Sequence, residues 1–419
     1  MPTSEPRVIV VGGGVIGVCC AYFLAKRGAR VTLLERDEIA KAASFGNAGT
    51  IAPGHSPINK PGRVRQVLKS LRDPLSPLYI APRADPALAA WLWSFARTCT
   101  QRHLESSLEV LGRLGHASRR LFDELVAGEN LDCGYRPEGY YEAYLTRAAL
   151  EAAIEEADLV RRHGYHPASL SGDELREREP ALNKQVLGGI FHPGAATLHP
   201  YRFVTELADR SRRQGASIET RKEAVKILTA NGKTAGVRTA AGEILEADAI
   251  ILATGAYGAG LLRALGFRLP LQAAKGYHRD YPLANAAAPR LRQACVLGEA
   301  SVFCTPMRGF VRYAGTLEFS GLNHELRRPR LEQLTRAAGR YLVAREEGQP
   351  QSEWCGLRPC LPDGLPAVGP VARYQGLYVA TGHAMLGLTL GPVTGKLMAE
   401  WVLDGRASED ITALRPGRF

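Results

Sequence analysis

The chain has 419 residues, of which 45% are hydrophobic and 23% charged, the balance of a globular protein with room for two or three lobes. Its eight cysteines form no C-x-x-C pair and have no partner histidines at zinc spacing, so we expect neither a metal site nor a disulfide framework. The net charge of +11 comes from scattered basic residues without interleaved aromatic residues, which favours a solvated surface over a nucleic-acid site.

The segment from Val8 to Ala25 contains no charged residue, and its length approaches that of a membrane span. Three consecutive glycines at positions 12–14 interrupt it where a strand would turn into a helix. We therefore predict a buried strand and a buried helix, and neither a signal peptide nor a membrane span.

The first thirty-five residues have the pattern of a βαβ unit. Val8–Val11 is a β-branched run, Val15–Lys26 has helical periodicity, and Val31–Leu34 is a second apolar run. Such a unit predicts a parallel sheet that is buried on both faces.

The turn between the first strand and the helix carries Gly12-x-Gly14-x-x-Gly17. Glycines at this spacing allow a tight turn, close approach of the backbone to a pyrophosphate, and close packing of helix on strand. Glu35 ends the second strand, where a carboxylate accepts hydrogen bonds from ribose hydroxyls. These features predict dinucleotide binding. Arg36 either stacks on adenine or is solvated.

Three further segments favour FAD over NAD, because cofactor-binding segments near both ends of the chain suit a long cofactor. They are Ser44-Phe45-Gly46-Asn47-Ala48-Gly49, then Ala253-Thr254-Gly255 at the end of an apolar strand, then Gly382-His383 with Gly387-Leu388-Thr389 at a helix start. The predicted cofactor-binding set is completed by Val15, Ile16 and Val225.

Elsewhere the sequence alternates between helical and strand patterns. Helices are predicted at 87–128, 147–164, 201–214, 330–344 and 391–403, and strands at 216–220, 224–228, 234–239, 244–252, 276–281, 301–306, 309–316 and 377–380. Trp91, Trp93 and Phe95 are predicted to pack on one apolar helix face.

We predict an α/β fold, α+β overall, with a Rossmann-type FAD-binding domain of glutathione-reductase-like topology. A substrate domain with a mixed sheet is inserted into it twice. The predicted FAD-binding domain comprises 1–86, 165–264 and 352–419, and the predicted substrate domain comprises 87–164 and 265–351.

These segments, with Lys275-Gly276-Tyr277, Gly356-Leu357-Arg358-Pro359 and Pro362-Asp363-Gly364, resemble the D-amino acid oxidase and glycine oxidase superfamily. Within it, the bacterial D-amino acid dehydrogenases are the most similar group. The resemblance is colinear over nearly the whole chain. It implies noncovalent FAD, although Cys355 and Cys360 lie near the position where some sarcosine-oxidising relatives attach flavin.

The resemblance also implies roles for individual residues. Arg358 matches the arginine that pairs with the substrate carboxylate, in keeping with the two parallel hydrogen bonds that a guanidinium offers. Tyr277, Tyr313 and His383 are the other predicted catalytic residues. Tyr277 and its neighbour His278 point to opposite faces of one strand, so at most one of them faces the site directly. Tyr140 and Tyr141 either line the pocket roof or belong to the core.

The implied reaction is transfer of a hydride from the α-carbon of a D-amino acid to FAD, giving an imine and then a 2-oxo acid or a cyclic imine. D-proline or cis-4-hydroxy-D-proline is the specific substrate suggested. The implied acceptor is a quinone or another electron carrier, with a cytoplasmic location that includes peripheral contact with the inner membrane. Two alternatives stay open: a glycine or sarcosine oxidase that uses oxygen, and an RNA-modifying or noncatalytic flavoprotein.

Overall fold

The computed structural model describes residues 5–70, 73, 75–283, 289–345 and 348–419. Its helices are α1 Val15–Lys26, α2 Arg63–Ser70, α3 Pro86–Thr98, α4 Gln101–Gly128, α5 Arg147–Arg161, α6 Gly172–Arg178, α7 Pro200–Arg213, α8 Ala259–Ala264, α9 Arg328–Tyr341 and α10 Gly387–Asp404. Within this part of the chain, no helix combines the length and the apolar character needed to cross a bilayer.

The strands of the first half of the chain are short. They are β1 Arg7–Val11, β2 Arg30–Leu34, β3 Thr50–Ile51, β4 Leu78–Ile80, β5 Tyr140–Tyr144, β6 Ala168–Ser171, β7 Gly188–His192, β8 Ala196–Thr197, β9 Ser217–Glu219 and β10 Ala224–Ala230. The second half contributes β11 Lys233–Thr239, β12 Ile244–Glu246, β13 Ala249–Leu252, β14 Gln272–Pro282, β15 Ala294–Leu297, β16 Val302–Met307, β17 Phe310–Phe319, β18 Ser352–Cys360, β19 Ala367–Pro370 and β20 Leu377–Thr381.

A six-stranded sheet forms the dinucleotide-binding half, in the order β19-β20-β13-β1-β2-β9, and only the β19–β20 pair is antiparallel. Val8 and Val10 face a core built with α1, α4, α7 and α10. Ile9 and Val11 face a second core built with β10, β11 and α8. Burial on both faces explains the uninterrupted apolar run of β1.

The glycine turn after β1 brings α1 close to the sheet. Gly12 has a φ of +111°, and a Cβ there would lie 2.5 Å from the carbonyl oxygen of Ala253 on the neighbouring strand. A Cβ at Gly17 would overlap the carbonyl oxygen of Gly12. Only glycine therefore permits this approach of helix to strand.

A second sheet has nine strands, in the order β18-β14-β17-β16-β15-β5-β7-β6, with β4 beside β17. Helix α9 covers one face through Leu331, Leu334 and Tyr341, which form a cluster with residues of β14, β15, β16 and β17. The predicted Rossmann-type sheet and the predicted mixed sheet are thus both present.

Strand pairing corrects the predicted domain limits at three places. β4, the β6–β7 pair and β18 lie in segments assigned to the FAD-binding domain, 1–86, 165–264 and 352–419, but all of them hydrogen-bond into the nine-stranded sheet. Their partners are distant along the chain, so the local sequence does not reveal the pairing. The rest of the division into domains stays a prediction.

Helix α3 corrects a second detail. Trp91 and Phe95 are buried and stacked, with ring centroids 5.4 Å apart, whereas Trp93 is 69% exposed. At 3.6 residues per turn, positions 91 and 95 share a face and position 93 lies on the opposite one.

The loop 44–49 joins the two sheets. At one end, the hydroxyl of Ser44 accepts a hydrogen bond from the backbone N–H of Val15 in the first turn of α1, at 2.9 Å. In its middle, the carbonyl oxygen of Gly46 lies 2.9 Å from Nδ1 of the fully buried His278 on β14. The loop is therefore held by both halves of the molecule.

A buried ion pair completes this junction. Arg312 on β17 donates to both carboxylate oxygens of Asp280 on β14, at 2.8 Å each, and its Nη1 donates to the carbonyl oxygen of Asn47 at 2.9 Å. Both side chains are at most 5% exposed. Asp280 thus compensates a cation that supports the loop.

We expect Asp280→Asn to destabilise the fold by about 3–5 kcal/mol, because it leaves the guanidinium of Arg312 buried without a counter-charge. The free energy of unfolding in urea measures this. Asp404→Asn is the matched control, since Asp404 pairs with Arg27 at the surface, with side chains about 40% exposed, and should cost less than about 1 kcal/mol. Equal losses in the two variants would contradict the prediction.

Candidate active site

A cavity of about 570 Å³ lies between the two sheets. Residues that directly follow β1, β2, β13 and β20 line one side of it, so it opens at the carboxyl ends of the parallel strands. This is where open α/β sheets bind their ligands. Its other side is formed by β14, β16, β17 and β18 of the nine-stranded sheet.

Most predicted site residues line this cavity. They are Gly12, Gly14, Val15, Ile16, Glu35, Arg36, Ser44, Asn47, Ala48, Val225, Ala253, Thr254, Gly255, Tyr277, Arg358, His383, Gly387, Leu388 and Thr389. The fold therefore brings together segments from the start, middle and end of the chain. Their contacts with a ligand stay a prediction.

Three predicted glycines lie behind the cavity wall. Gly17 packs on the backbone of Gly12, Gly49 packs on the carbonyl oxygen of Leu198, and Gly382 packs on Leu361. Direct contact of these three glycines with the cofactor stays a prediction. Gly49 and Gly382 have φ values of +72° and +81°, so they shape the turns that carry their neighbours to the cavity.

The carboxylate of Glu35 is held by the backbone. Its Oε2 accepts from the N–H of Gly13 at 2.6 Å, and its Oε1 accepts from the N–H of Asp37 at 2.9 Å. Next to it, the guanidinium of Arg36 lies 3.8 Å from the ring centroid of Tyr257, a cation–π contact that the sequence did not reveal.

Helix α10 begins at the cavity wall with Gly387. Leu386 is the N-cap residue, and its apolar side chain accepts no hydrogen bond from the helix. The N–H groups of the first turn are therefore available to a ligand. The hydroxyl of Thr389 accepts from the N–H of Ala52 at 3.1 Å, which fixes the loop after β3 against this helix start.

His383 lies before α10 and is 3% exposed. Its Nε2 lies 3.0 Å from the hydroxyl of Thr394, while its Nδ1 has no hydrogen-bond partner among the described residues. Burial lowers the pKa of the ring to about 3, so the ring is neutral at neutral pH. A buried ring nitrogen without a partner at a cavity wall fits contact with a ligand.

Arg358 on β18 places its guanidinium over Gly276 of β14, where a Cβ would overlap it. Its Nη1 donates to the carbonyl oxygen of Thr316 at 2.8 Å. No carboxylate of the described chain forms an ion pair with it. Burial lowers the pKa of the guanidinium, but an arginine stays protonated, so the cavity contains an uncompensated cation.

Trp354 is a cavity residue that the sequence reasoning missed. Its ring lies over Gly356 and Gly46, where a Cβ at either position would overlap the indole, and it stacks on His278 at 5.2 Å. The glycine two residues after the tryptophan was the available signal, because side chains two apart on a strand share a face. Phe303, His55 and His324, also missed, reach the cavity by tertiary placement alone.

Tyr277 and Tyr313, which were predicted to be catalytic, differ in their relation to the cavity. Tyr277 borders the cavity, but its hydroxyl donates to Glu318 at 3.0 Å, on the face of β14 opposite Gly276. Tyr313 is 1% exposed and packs on Tyr281 under α9. Tyr313 thus belongs to the core, because residue parity on β17 turns it away from the cavity, and its predicted place at the site is corrected. The catalytic role of Tyr277 stays a prediction.

Two other pairs also lie outside the cavity lining. Tyr140 and Tyr141 are buried core residues. Cys355 and Cys360 are buried as well, and burial raises the pKa of the Cys360 thiol to about 12. A thiol with so high a pKa is a poor nucleophile at neutral pH.

The chain belongs to the DAO family of FAD-dependent oxidoreductases, whose model matches residues 7–401. Curated relatives include the D-amino acid dehydrogenase of Methylobacterium nodulans, 34% identical over 96% of this chain and 96% of its own. The D-amino acid dehydrogenase of Agrobacterium fabrum is 30% identical over 99% of both chains.

Solved structures share the fold. Glycine oxidase of Geobacillus kaustophilus aligns with a TM-score of 0.79 at 22% identity, covering 99% of this chain and all of the other. The FAD-bound L-α-glycerophosphate oxidase of Mycoplasma pneumoniae aligns with a TM-score of 0.74 at 17% identity, covering 98% of each. The predicted family and fold class are confirmed.

The cavity residues fit FAD. The glycine turn and the start of α1 suit a pyrophosphate, and the carboxylate of Glu35 suits a ribose. The uncapped start of α10 and the unpartnered Nδ1 of His383 lie on segments from the other end of the chain, where they suit the polar edge of a flavin.

Gly276→Ala tests whether the position of the Arg358 guanidinium matters. The three atoms nearest to the added methyl group all belong to the guanidinium of Arg358, so we expect this side chain to shift and the protein to stay folded with normal bound flavin. The rate of flavin reduction by amino acids should fall about tenfold or more, because the cation is moved from its place. Stopped-flow absorbance measures the rate.

Gly194→Ala is the control, because a Cβ there meets nothing within 4 Å. Full activity in Gly276→Ala would show that the position of the guanidinium is unimportant.

Proposed function

We propose that this protein holds FAD noncovalently and oxidises D-amino acids to imines. The observation that carries the proposal is the uncompensated guanidinium of Arg358 in a cavity that fits FAD. The D-amino acid dehydrogenases that are 30–34% identical over nearly the full chain support it.

Arg358 binds the substrate carboxylate in this scheme. Two parallel hydrogen bonds fix the plane of the carboxylate as well as its position, and the carbonyl oxygen of Thr316 and the flat seat on Gly276 hold the guanidinium in place. The α-carbon of the substrate is thereby oriented, which is catalysis by positioning. FAD, when bound, supplies the hydride acceptor.

The reaction requires little proton transfer by side chains of the protein. A D-amino acid that enters with a neutral amine needs no strong general base, and Arg358 and the neutral His383 are not bases of that kind at neutral pH. The imine product then hydrolyses to a 2-oxo acid, or persists as a ring if the amine is secondary. D-proline or cis-4-hydroxy-D-proline is the specific substrate that we propose.

The flavin is held without a covalent bond, because the nearby thiols of Cys355 and Cys360 lie outside the cavity lining and have raised pKa values. Electrons pass on to a quinone or a similar carrier at the inner face of a membrane. The names of the curated relatives, which are dehydrogenases, support this acceptor.

Arg358→Ala tests the carboxylate clamp. We expect the variant to retain yellow cofactor, while kcat/KM for D-amino acids falls at least about 100-fold, since a charge-assisted bidentate contact is lost. Arg358→Lys keeps the charge but not the fork and should recover only part of the activity. Normal turnover in Arg358→Ala would refute the role.

A panel of amines separates the proposed reaction from glycine or sarcosine oxidation. Mixed anaerobically with the flavin-loaded protein, D-proline and D-alanine should bleach the flavin absorbance, while glycine, sarcosine and L-amino acids should do so much more slowly. A quinone analogue should then restore the absorbance faster than oxygen. Fastest bleaching by glycine or sarcosine, with efficient reoxidation by oxygen, would favour the oxidase.

A further inference from the structure

The loop that follows β3 carries a histidine into the cavity. The N–H of Ala52 donates to the hydroxyl of Thr389 at one end of this loop, and the N–H of His55 donates to the carbonyl oxygen of Ala52 at 3.1 Å. At the other end, the side-chain amide of Asn59 donates to the carbonyl oxygen of Pro362 at 2.8 Å. Both ends are therefore fixed.

These anchors place His55 at the same end of the cavity as Arg358 and His383. Thr389 lies in the first turn of α10, six residues after His383. Ile58, three residues after His55, packs on an apolar cluster that contains Cys360, and Ala384 packs on the same cluster. Cys360 follows Arg358 by two residues on β18. The loop thus closes the end of the cavity where the substrate carboxylate is proposed to bind.

The imidazole of His55 lines the cavity, and no hydrogen bond joins it to the described residues. His383, by comparison, has one ring nitrogen engaged with Thr394. His55 is therefore free to donate one hydrogen bond and accept another when neutral.

Four charged or titratable groups lie behind His55. On its own loop Lys60 forms an ion pair with Glu156 of α5. Glu142 of β5 accepts from the hydroxyl of Tyr144 at 2.8 Å and lies 3.4 Å from Nε2 of His192 on β7. The charges of Lys60, Glu156, Glu142 and His192 all act on His55.

Ionisation in this cluster leaves His55 neutral and the two carboxylates charged. Although burial opposes it, the ammonium of Lys60 lowers the pKa of Glu156 to about 2. The pKa of Glu142 is also lowered, because its contacts with His192 and Tyr144 outweigh burial. Burial and the charge of Lys60 lower the pKa of His55. Glu156 also faces the guanidinium of Arg63, so its charge is balanced by two cations.

We propose that His55 is a specificity-determining residue, which binds a hydroxyl or amide group on the side chain or ring of the substrate. This rests on the proposed function, since it supposes a D-amino acid held by Arg358. A neutral imidazole satisfies either group, because it offers one donor and one acceptor. Substrates with a hydroxyl or amide group are thus preferred over analogues that lack it.

Matched substrate pairs test the assignment through kcat/KM: cis-4-hydroxy-D-proline against D-proline, and D-serine against D-alanine. The unaltered protein should prefer the first member of each pair. His55→Phe should lower the preference in the two hydroxyl pairs about 5- to 10-fold, the worth of one neutral hydrogen bond, with normal flavin content. His55→Gln should recover much of it.

His166→Phe is the control, because His166 is exposed at the surface, and should leave the ratios unchanged. Unchanged ratios in His55→Phe, or no preference in the unaltered protein, would overturn the proposal. So would loss of flavin in His55→Phe, which would make the ring a cofactor contact. If no D-amino acid bleaches the flavin of the unaltered protein, the proposed function itself fails, a result distinct from altered ratios.

Discussion

The buried ion pair of Arg312 and Asp280 is the constraint on which the site depends. It positions the guanidinium of Arg312, which binds the loop 44–49 to the nine-stranded sheet. That loop also touches the start of α1 through Ser44, so it fixes the distance between the dinucleotide-binding turn and the substrate sheet. Without Asp280, the buried charge of Arg312 would be stabilised only by the carbonyl oxygens of the loop. The cavity exists because the two sheets are held at this junction.

Charge distribution along the cavity follows from the same architecture. Arg358 has no carboxylate partner among the described residues, while the substrate region near His55 backs onto Glu142 and Glu156, which face Lys60, Arg63 and His192. A ligand with a carboxylate at one end and a neutral polar group at the other is complementary to this field. The amino-acid chemistry proposed for the site and the selectivity proposed for His55 rest on one electrostatic pattern.

Predictions from the sequence succeeded where the signal was local. The glycine turn, the carboxylate of Glu35 and the helix start at Gly387 were found because their spacing along the chain is itself the motif. They failed where the face of a strand or helix mattered. Tyr313 and Trp93 were placed on the wrong side, since a shift of one or two residues reverses the face and burial depends on what packs there.

The sequence by itself determined the family, the parallel sheet and the segments that meet at the cavity, because these depend on short-range patterns of glycine, apolar and acidic residues. Only the tertiary structure decided that β6, β7 and β18 join the nine-stranded sheet, that Arg358 lies on Gly276 without a carboxylate partner among the described residues, and that His55 faces the cavity. Each of these is a contact between residues distant along the chain. Pairing and burial at such distances are set by the packing of the whole fold, which no local pattern encodes.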